Sequence, residues 1–410
     1  MLQYFIVSIY GETTYQALSF IGMLYPLWLP IILSLVFWKV WVRYVRYHYF
    51  TAMKTSLIEI KIPREIAKSP LAMEIVLAAL AQYRGESTII KRYWNGSVRP
   101  WFSLEIISIG GDIRFLMWCD TKDRNNIEAQ IYAQYPEVEV RDVEDYTKNV
   151  KLDLEKMNLY ASNFQLANDD PYPIKTYVDF GLDKNPKEEH RIDPLTSILE
   201  LLGSIKKGEQ VWLQYVITVH KSEKRGGFLS KKSDWKDDAK KIIKEIQDSA
   251  MIESPTPGGF PRYRFLSQAE QEKIAAIERN ISKYAYDIGI RAIYTAPKDI
   301  YNVGMDGMLK GLFQAYNTQS LNRIEFIMET DFPKYPWDDF MSIRQNRQKY
   351  KHLDAYKRRM FFYDPYYSET SVISTEALAS LYHFPSSVAA TPGLVRIPSK
   401  KADAPSNLPT

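Results

Sequence analysis

Trp101-Phe102-Ser103-Leu104-Glu105-Ile106-Ile107-Ser108-Ile109, then Gly110-Gly111-Asp112, then Ile113-Arg114-Phe115-Leu116-Met117-Trp118-Cys119, is the stretch that decides the fold. Two runs of β-branched and aromatic residues flank a short glycine turn, which is the pattern of a β-hairpin. Upstream, Leu57-Ile58-Glu59-Ile60-Lys61-Ile62 alternates at period two and reads as a half-buried strand. Ser69 then caps a helix with Pro70 at its first position, running through Met73, Val76, Leu77 and Leu80 towards Gly85. Downstream, Ile127, Ile131 and Tyr135 share one face of a second helix, and Glu137-Val138-Glu139-Val140 closes the unit as an edge strand.

The order over 51–150 is therefore βαββαβ, the ferredoxin-like arrangement. A similar order recurs over 170–330. Ile174 to Phe180 is expected as its first strand, and Asp193-Pro194-Leu195 opens a helix that stops at Gly203. Val211 to His220 is a strand whose Trp212 and Ile217 echo Trp101 and Ile106. Ile290-Arg291 begins a strand as Ile113-Arg114 does, and both run into a Lys-Asp pair, Lys298-Asp299 and Lys122-Asp123. A helix ending near Gln314 and Tyr316 follows, as one ends at Gln134-Tyr135, and Leu321 to Met328 is the last strand. These matches read as a duplication.

Inside the second repeat lies a helical insertion over 221–286. Lys221 to Lys232 is a basic stretch; Ile242, Ile243 and Ile246 mark one amphipathic helix. Beyond a Pro/Gly loop from Pro255 to Pro261, Ser267 and Glu270 form a capping box for a second, lined by Ile274, Ile277, Ile281 and Tyr284. The pair is open to three readings: a lid, a partner surface, or packing.

At the other end, Thr13 to Trp38 holds no charged side chain and is long enough to cross a bilayer core of about 30 Å. Twelve strongly apolar residues in it contribute roughly −4 to −7 kcal/mol towards insertion. Pro26 and Pro30 offset part of that, and membrane helices tolerate them. Lys39, Arg43, Arg46 and Lys54 follow the span, whereas Glu12 is the one charged side chain before it. The positive-inside rule then places the N-terminus outside and the body in the cytoplasm. Trp38, Trp41, Tyr44, Tyr47 and Tyr49 form an aromatic belt, so Trp38, Lys39, Trp41, Arg43 and Arg46 are the expected membrane-interface residues. The sequence thus predicts an α+β protein: an N-terminal transmembrane helix followed by two ferredoxin-like repeats, the second with a helical insertion. The segment 1–50 is the anchor with its basic aromatic flank, and 331–410 is a basic helical segment, then a short helix capped by Ser374 or Thr375 and running to Tyr382, leading to an extended Pro-rich tail.

The chain has 410 residues, 46% of them hydrophobic and 25% charged, which suits two or three units with ordinary cores. Its single cysteine, Cys119, excludes an internal disulfide framework and a cysteine-based zinc site, and reads as a small buried apolar residue. The net charge of +4 is unremarkable, but Arg344, Arg347, Lys349, Lys351, Lys357, Arg358 and Arg359 against Asp354 concentrate +6 in one segment. Arg344, Arg347, Lys357, Arg358 and Arg359 are therefore the candidate contacts to a partner or to phosphate. The segment is equally open to anionic lipid, an acidic protein, or a solvated face.

No complete catalytic pattern stands out. Gly203-Ser204-Ile205-Lys206-Lys207-Gly208-Glu209-Gln210 has the outer glycine spacing of a phosphate-binding loop, but Glu-Gln occupies the Lys and Ser/Thr positions. It reads as a turn between helix and strand. His48, His190, His220, His352 and His383 show no metal-ligand spacing, and no nucleophile elbow occurs. Glu137, Glu139, Asp142, Glu144 and Asp145 read as a solvated sheet edge. Gly111 to Trp118 lacks the aromatic signature of RNA-recognition strands. No catalytic residue, cofactor site or metal site is therefore expected.

Several phrases carry a resemblance. They are Arg99-Pro100-Trp101-Phe102-Ser103-Leu104-Glu105-Ile106, Ile127 to Pro136, Val143-Glu144-Asp145-Tyr146, Asp170 to Tyr177, Ala276-Ile277-Glu278-Arg279, Leu381-Tyr382-His383-Phe384-Pro385, Thr391-Pro392 and Ser406-Asn407-Leu408-Pro409. The chain resembles an uncharacterised family of membrane proteins from Patescibacteria. It is similar to the N-terminal, non-motor region of type IV secretion and conjugation ATPases of the HerA/FtsK superfamily. The resemblance implies a membrane-tethered accessory module of the bacterial inner membrane whose P-loop ATPase is a separate polypeptide. The leading expectation is a non-enzymatic scaffold or adaptor of a type IV secretion-like or conjugation-like machine. A membrane-tethered nucleic-acid-binding protein using 344–359 is the second, and an enzyme with an unrecognised site the third.

Overall fold

The computed structural model describes residues 20, 22–63, 68–82, 88–184, 192–221, 234–252, 262–330, 337 and 339–385. The chain divides into two compact units, Met1–Met53 with Gly85–Arg99, and Lys54–Arg84 with Pro100–Thr410.

The first unit is built on α1 (Tyr25–Ala52), 28 residues with Pro26 in its opening turn and Pro30 inside. Among the described residues it is the one helix long and apolar enough to cross a membrane, and none of its apolar window is buried. At about 1.5 Å per residue it is roughly 40 Å long. A second, five-residue helix, Ile89–Tyr93, belongs to the same unit. The opening of the uncharged span, 13–19, lies outside the described residues.

In the second unit, β1 (Thr55–Lys61), α2 (Leu71–Leu80), β2 (Trp101–Ile109), β3 (Asp112–Asp120), α3 (Arg124–Gln134) and β4 (Glu139–Asp142) follow the expected order. Next come β5 (Met157–Leu166), α4 (Leu195–Gly203) and β6 (Gln210–Val219). The insertion holds α5 (Trp235–Asp248), the two-residue β7 (Met251–Ile252) and β8 (Arg262–Tyr263), and α6 (Gln268–Ser282). β9 (Ala285–Pro297), α7 (Met305–Lys310), β10 (Ile324–Glu329), α8 (Ile343–Lys357), β11 (Ser371–Ser374) and α9 (Thr375–Leu381) complete it.

Nine strands form one sheet in the order β10-β5-β9-β6-β2-β3-β1-β4, with β11 pairing β9. Every pairing in it is antiparallel. The first four strands lie as β4-β1-β3-β2 and the next four as β10-β5-β9-β6. The two groups join where β2 pairs β6, with Trp101 opposite Thr218 and Ile109 opposite Gln210.

The strand expected at Ile174 to Phe180 is absent; β5, Met157–Leu166, takes its place in the sheet. Local bonds explain the difference. The Asp179 carboxylate accepts the Thr176 amide at 2.9 Å and its hydroxyl at 3.2 Å, closing a turn. The Tyr177 amide donates to the Ser380 hydroxyl at 2.8 Å instead of to a ladder. β5 escapes the alternation test because Leu159, Tyr160, Ala161, Ser162, Asn163 and Phe164 are buried on both faces.

Alternation sorts the rest of the core. Phe102, Leu104 and Ile106 face one side with Ile58, Ile60, Phe115 and Met117, where α2, α3, α4 and α9 cover them. Trp101, Ser103, Glu105 and Ile107 face the other side and are buried as well. That second side is covered by α8 and the chain beyond it: Tyr356 packs on Trp212 with ring centroids 5.3 Å apart, and Phe361 lies on β9. Gly289 makes the last contact possible, since a Cβ there would stand 2.3 Å from the Phe361 ring.

The insertion folds onto the body. α5 and α6 meet through Ala239, Ile242 and Ile277, and the capping box of Ser267 and Glu270 is formed. Asn280 Nδ2 donates to the Pro171 carbonyl at 3.0 Å. The described part of the expected C-terminal tail is also core: Tyr356, Phe361, Ile373, Leu378, Tyr382 and Phe384 are buried. Ser374 caps α9, its hydroxyl accepting the Ala377 amide at 3.3 Å. Its apolar residues, which alternate too briefly to announce a strand, supply part of both layers. The Pro-rich stretch from 386 onward, most of the basic stretch 221–232 and the Pro/Gly loop 255–261 lie outside the described residues.

Candidate functional site

The basic segment splits along α8. Its inward face buries Lys349, His352, Leu353 and Tyr356, and Lys349 Nζ donates to Asn158 Oδ1 at 2.6 Å. Its outward face carries Arg344, Arg347 and Lys351, spaced so that they share one side of the helix. With Tyr350, Asp354 and Tyr366 these cations line an open groove of about 850 Å³. Arg358 is half exposed and pairs with Asp354 at 3.0 Å. The Asp354 charge is thus met, and the groove is left net basic.

Arg359 is buried away from that surface, and Lys357 is part-buried. Lys357 Nζ is held by the Val150 carbonyl. Arg359 is 1% exposed and forms ion pairs with Glu105, at 3.0 Å, and with Asp145. Asp145, read as part of a solvated edge, is an internal counter-ion because the segment around Tyr146 folds under α8. Tyr146 donates to Glu105 Oε2 at 2.8 Å and shares a 2.7 Å hydrogen bond with Tyr356. Burial alone would raise the Asp145 carboxyl, but the Arg359 guanidinium holds it below its usual range. Burial works against the Arg359 charge, and Glu105 with Asp145 outweighs it.

Register extends this pair into a row. Glu105 stands opposite Gln214, Gln214 opposite Arg291, and Arg291 opposite Asn163. Four central strands therefore each place one polar side chain in line beneath α8. Gln214 Nε2 donates to Glu105 at 3.0 Å, and Arg291 Nε to Asn163 Oδ1 at 3.0 Å. Burial pushes the Arg291 guanidinium down to about 10. Two guanidinium groups and two carboxylates balance, which is how buried charge is tolerated. None of Glu105, Gln214, Arg291, Asn163, Tyr146 and Tyr356 stood out as a site in the sequence. The available signal was a charged residue inside a largely apolar strand, at Glu105 and at Arg291.

Several further chemistry-bearing groups among the described residues are tied into the fold, and His190 lies outside those residues. Glu209 accepts the Lys206 amide at 2.6 Å and the Tyr294 hydroxyl at 2.7 Å, so a carboxylate closes the glycine turn where a phosphate loop would offer donors. His220 Nδ1 lies 2.6 Å from Asp287, and His383 Nε2 lies 3.0 Å from Asp193. His352 is buried with Nδ1 unpartnered, and burial, with the Arg291 and Lys351 charges, lowers it to about 3, so it is neutral. Cys119 is buried, which pushes its thiol up to about 12. No group of three His, Cys, Asp or Glu that could hold a metal ion occurs among the described residues.

Residues 50–396 match a protein family described as a domain of unknown function, DUF8128. The chain belongs to the DUF8128 family. Comparison with curated proteins finds no match. The DUF8128 match begins at the end of α1 and takes in the whole sheet, α8 and α9.

The expected interface residues precede the DUF8128 match. Trp38 and Lys39 are exposed on α1, as is Arg43, whereas Trp41 and Arg46 are half-buried. Trp41 Nε1 donates to the Tyr93 carbonyl at 3.0 Å, and the Trp38 and Tyr93 rings are 5.2 Å apart.

Proposed function

We propose that this protein is a non-enzymatic, membrane-anchored scaffold of a type IV secretion-like or conjugation-like apparatus that docks a P-loop ATPase. The observation that carries the reading is α1, whose apolar window is wholly unburied and is followed by Lys39, Arg43 and Arg46. A helix of that length left in water would expose far more apolar surface than soluble proteins tolerate. The flanking cations favour a bacterial inner membrane with the N-terminus out and the body cytoplasmic. The likeness of several sequence phrases to the non-motor region of secretion and conjugation ATPases suggests the machine. The matching strand orders of the two halves of the sheet support reading them as ferredoxin-like repeats, the second with its helical insertion.

The outward cations Arg344, Arg347 and Lys351, with Arg358, form the docking surface for an acidic partner. Such a surface steers encounter and weakens as salt rises. The test is copurification of the full chain, solubilised in detergent, followed by Arg344→Glu, Arg347→Glu and Lys351→Glu together. We expect a P-loop ATPase to copurify, to be lost in the triple variant, and the melting temperature to change little, because exposed charges and exposed ion pairs contribute little to stability. A half-exposed Tyr350 beside Arg347 and Lys351 favours a second reading, single-stranded nucleic acid on the same face. Salt-sensitive nucleic acid in place of an ATPase would support that reading and overturn the first.

A further inference from the structure

Residues 88–96 carry apolar side chains that their own unit leaves uncovered. Ile89 is 76% exposed, Ile90 68% and Trp94 62%. A five-residue helix is too short to hold itself together in water, so its order comes from what it rests on. It rests on α1. Trp41 Nε1 bonds the Tyr93 carbonyl at 3.0 Å, and the Trp41 and Trp94 rings are 5.8 Å apart. Thr88 caps the helix by accepting the Lys91 amide at 3.3 Å. Gly96 lets the chain return along α1: its φ is +64°, and a Cβ there would stand 2.5 Å from the Val45 carbonyl oxygen.

The height of this contact along α1 says what covers it. Trp38 ends the uncharged span and Lys39 is the first cation after it. Tyr93 and Trp94 dock on Trp38 and Trp41, and Gly96 on Val45, hence at the level where hydrocarbon gives way to headgroups. At the same level α1 exposes Phe37, Val40 and Tyr44. Lys91 and Arg92 sit among the uncovered apolar residues, as Lys39 and Arg43 do on α1. Aromatic and apolar side chains interleaved with cations at the end of a span match the membrane–water boundary.

We infer that Ile89-Ile90-Lys91-Arg92-Tyr93-Trp94 is a second membrane contact, with Ile89, Ile90 and Trp94 in the headgroup–acyl boundary and Lys91 and Arg92 on anionic headgroups. The inference rests on α1 spanning the bilayer. It gives the anchor two points of attachment, which fixes the rotation of α1 about its axis in a way a lone helix cannot.

The test uses the full chain reconstituted in vesicles of zwitterionic lipid with a minority of anionic phosphatidylglycerol. Ile89→Cys, Ile90→Cys, Leu33→Cys and Lys207→Cys are spin-labelled one at a time; native Cys119 is buried and does not compete. Collision with oxygen and with a water-soluble nickel chelate reports depth. We expect Leu33 to read as bilayer interior and Lys207 as water. Both Ile89 and Ile90 should show nickel collisions several-fold below Lys207, at a depth shallower than Leu33. Labels at 89 and 90 matching Lys207 while Leu33 reads as interior would overturn the inference and leave the span standing. The same holds if they are shielded equally from oxygen and nickel, as a protein partner would shield them. A Leu33 label that reads as water would overturn the span and the inference together.

Discussion

A guanidinium that is 1% exposed persists only where its charge is met, and Arg359 meets Glu105 and Asp145. Its backbone is used too, since its carbonyl accepts the Trp101 indole N–H at 2.8 Å. Replacing it by methionine would leave two carboxylates under α8 with one cation fewer. Breaking a buried pair from one side costs about 3–5 kcal/mol. We therefore expect Arg359→Met to lower the stability of the body by that amount in urea unfolding followed by tryptophan fluorescence. Arg358→Met, half exposed one position earlier, should stay within about 0.5 kcal/mol. Equal, small losses would mean that Arg359 is as solvated as its neighbour. Adjacent arginines with opposite fates look alike in a charge count. What separates them is Glu105, 254 residues away in the chain, and no local pattern reports a partner at that distance.

Among the elements, α9 is fastened at its end by a histidine whose two ring nitrogens both face acceptors. His383 Nδ1 lies 2.9 Å from the Ala379 carbonyl and Nε2 lies 3.0 Å from the Asp193 carboxylate. A carbonyl can only accept, so the arrangement suits the doubly protonated ring. Burial would lower the His383 pKa, but the Asp193 charge and the hydrogen bonds raise it above its ordinary value. Burial would raise the Asp193 carboxyl, and the His383 charge holds it low. A histidine raised on folding gives stability that is fully present below about pH 6.5 and lost as pH climbs through the raised value. The stability gap between the wild type and His383→Gln should therefore shrink as pH is raised from about 6 to about 9. A gap that widens over that range would refute the charged brace. Elements differ in legibility for physical reasons. The β2–β3 hairpin announces itself through its glycine turn, and α6 through its capping box. β5 does not, because burial on both faces erases the alternation on which such readings depend. α9 announces itself through its serine cap, but its burial does not show and β11 reads as a tail, because their partners, α2 and β9, are remote in sequence.

Across the whole molecule, the element order of the first half is legible in the sequence, whereas the first strand of the second half, the joining of β2 to β6 and the closure by α8 are not. Periodicity shows which face of a strand is buried, but not which strand lies beside it. Of the candidate contacts, Arg344 and Arg347 line the outward groove and Arg358 is half exposed, while Lys357 is part-buried and Arg359 is buried against Glu105, a split that a charge count does not show. The proposed scaffold, its orientation and the second membrane contact all need α1 in a bilayer. Alkaline carbonate treatment of membranes from cells expressing the full chain tests that placement most directly, alongside a Leu33→Arg, Val36→Arg variant. Each arginine at the centre of a span costs roughly 2.5–3.5 kcal/mol on the insertion scale, enough to cancel much of the gain from the apolar run. We predict that the wild type stays in the membrane pellet and that the variant moves to the supernatant. Release of the wild type by carbonate would contradict a membrane-spanning α1.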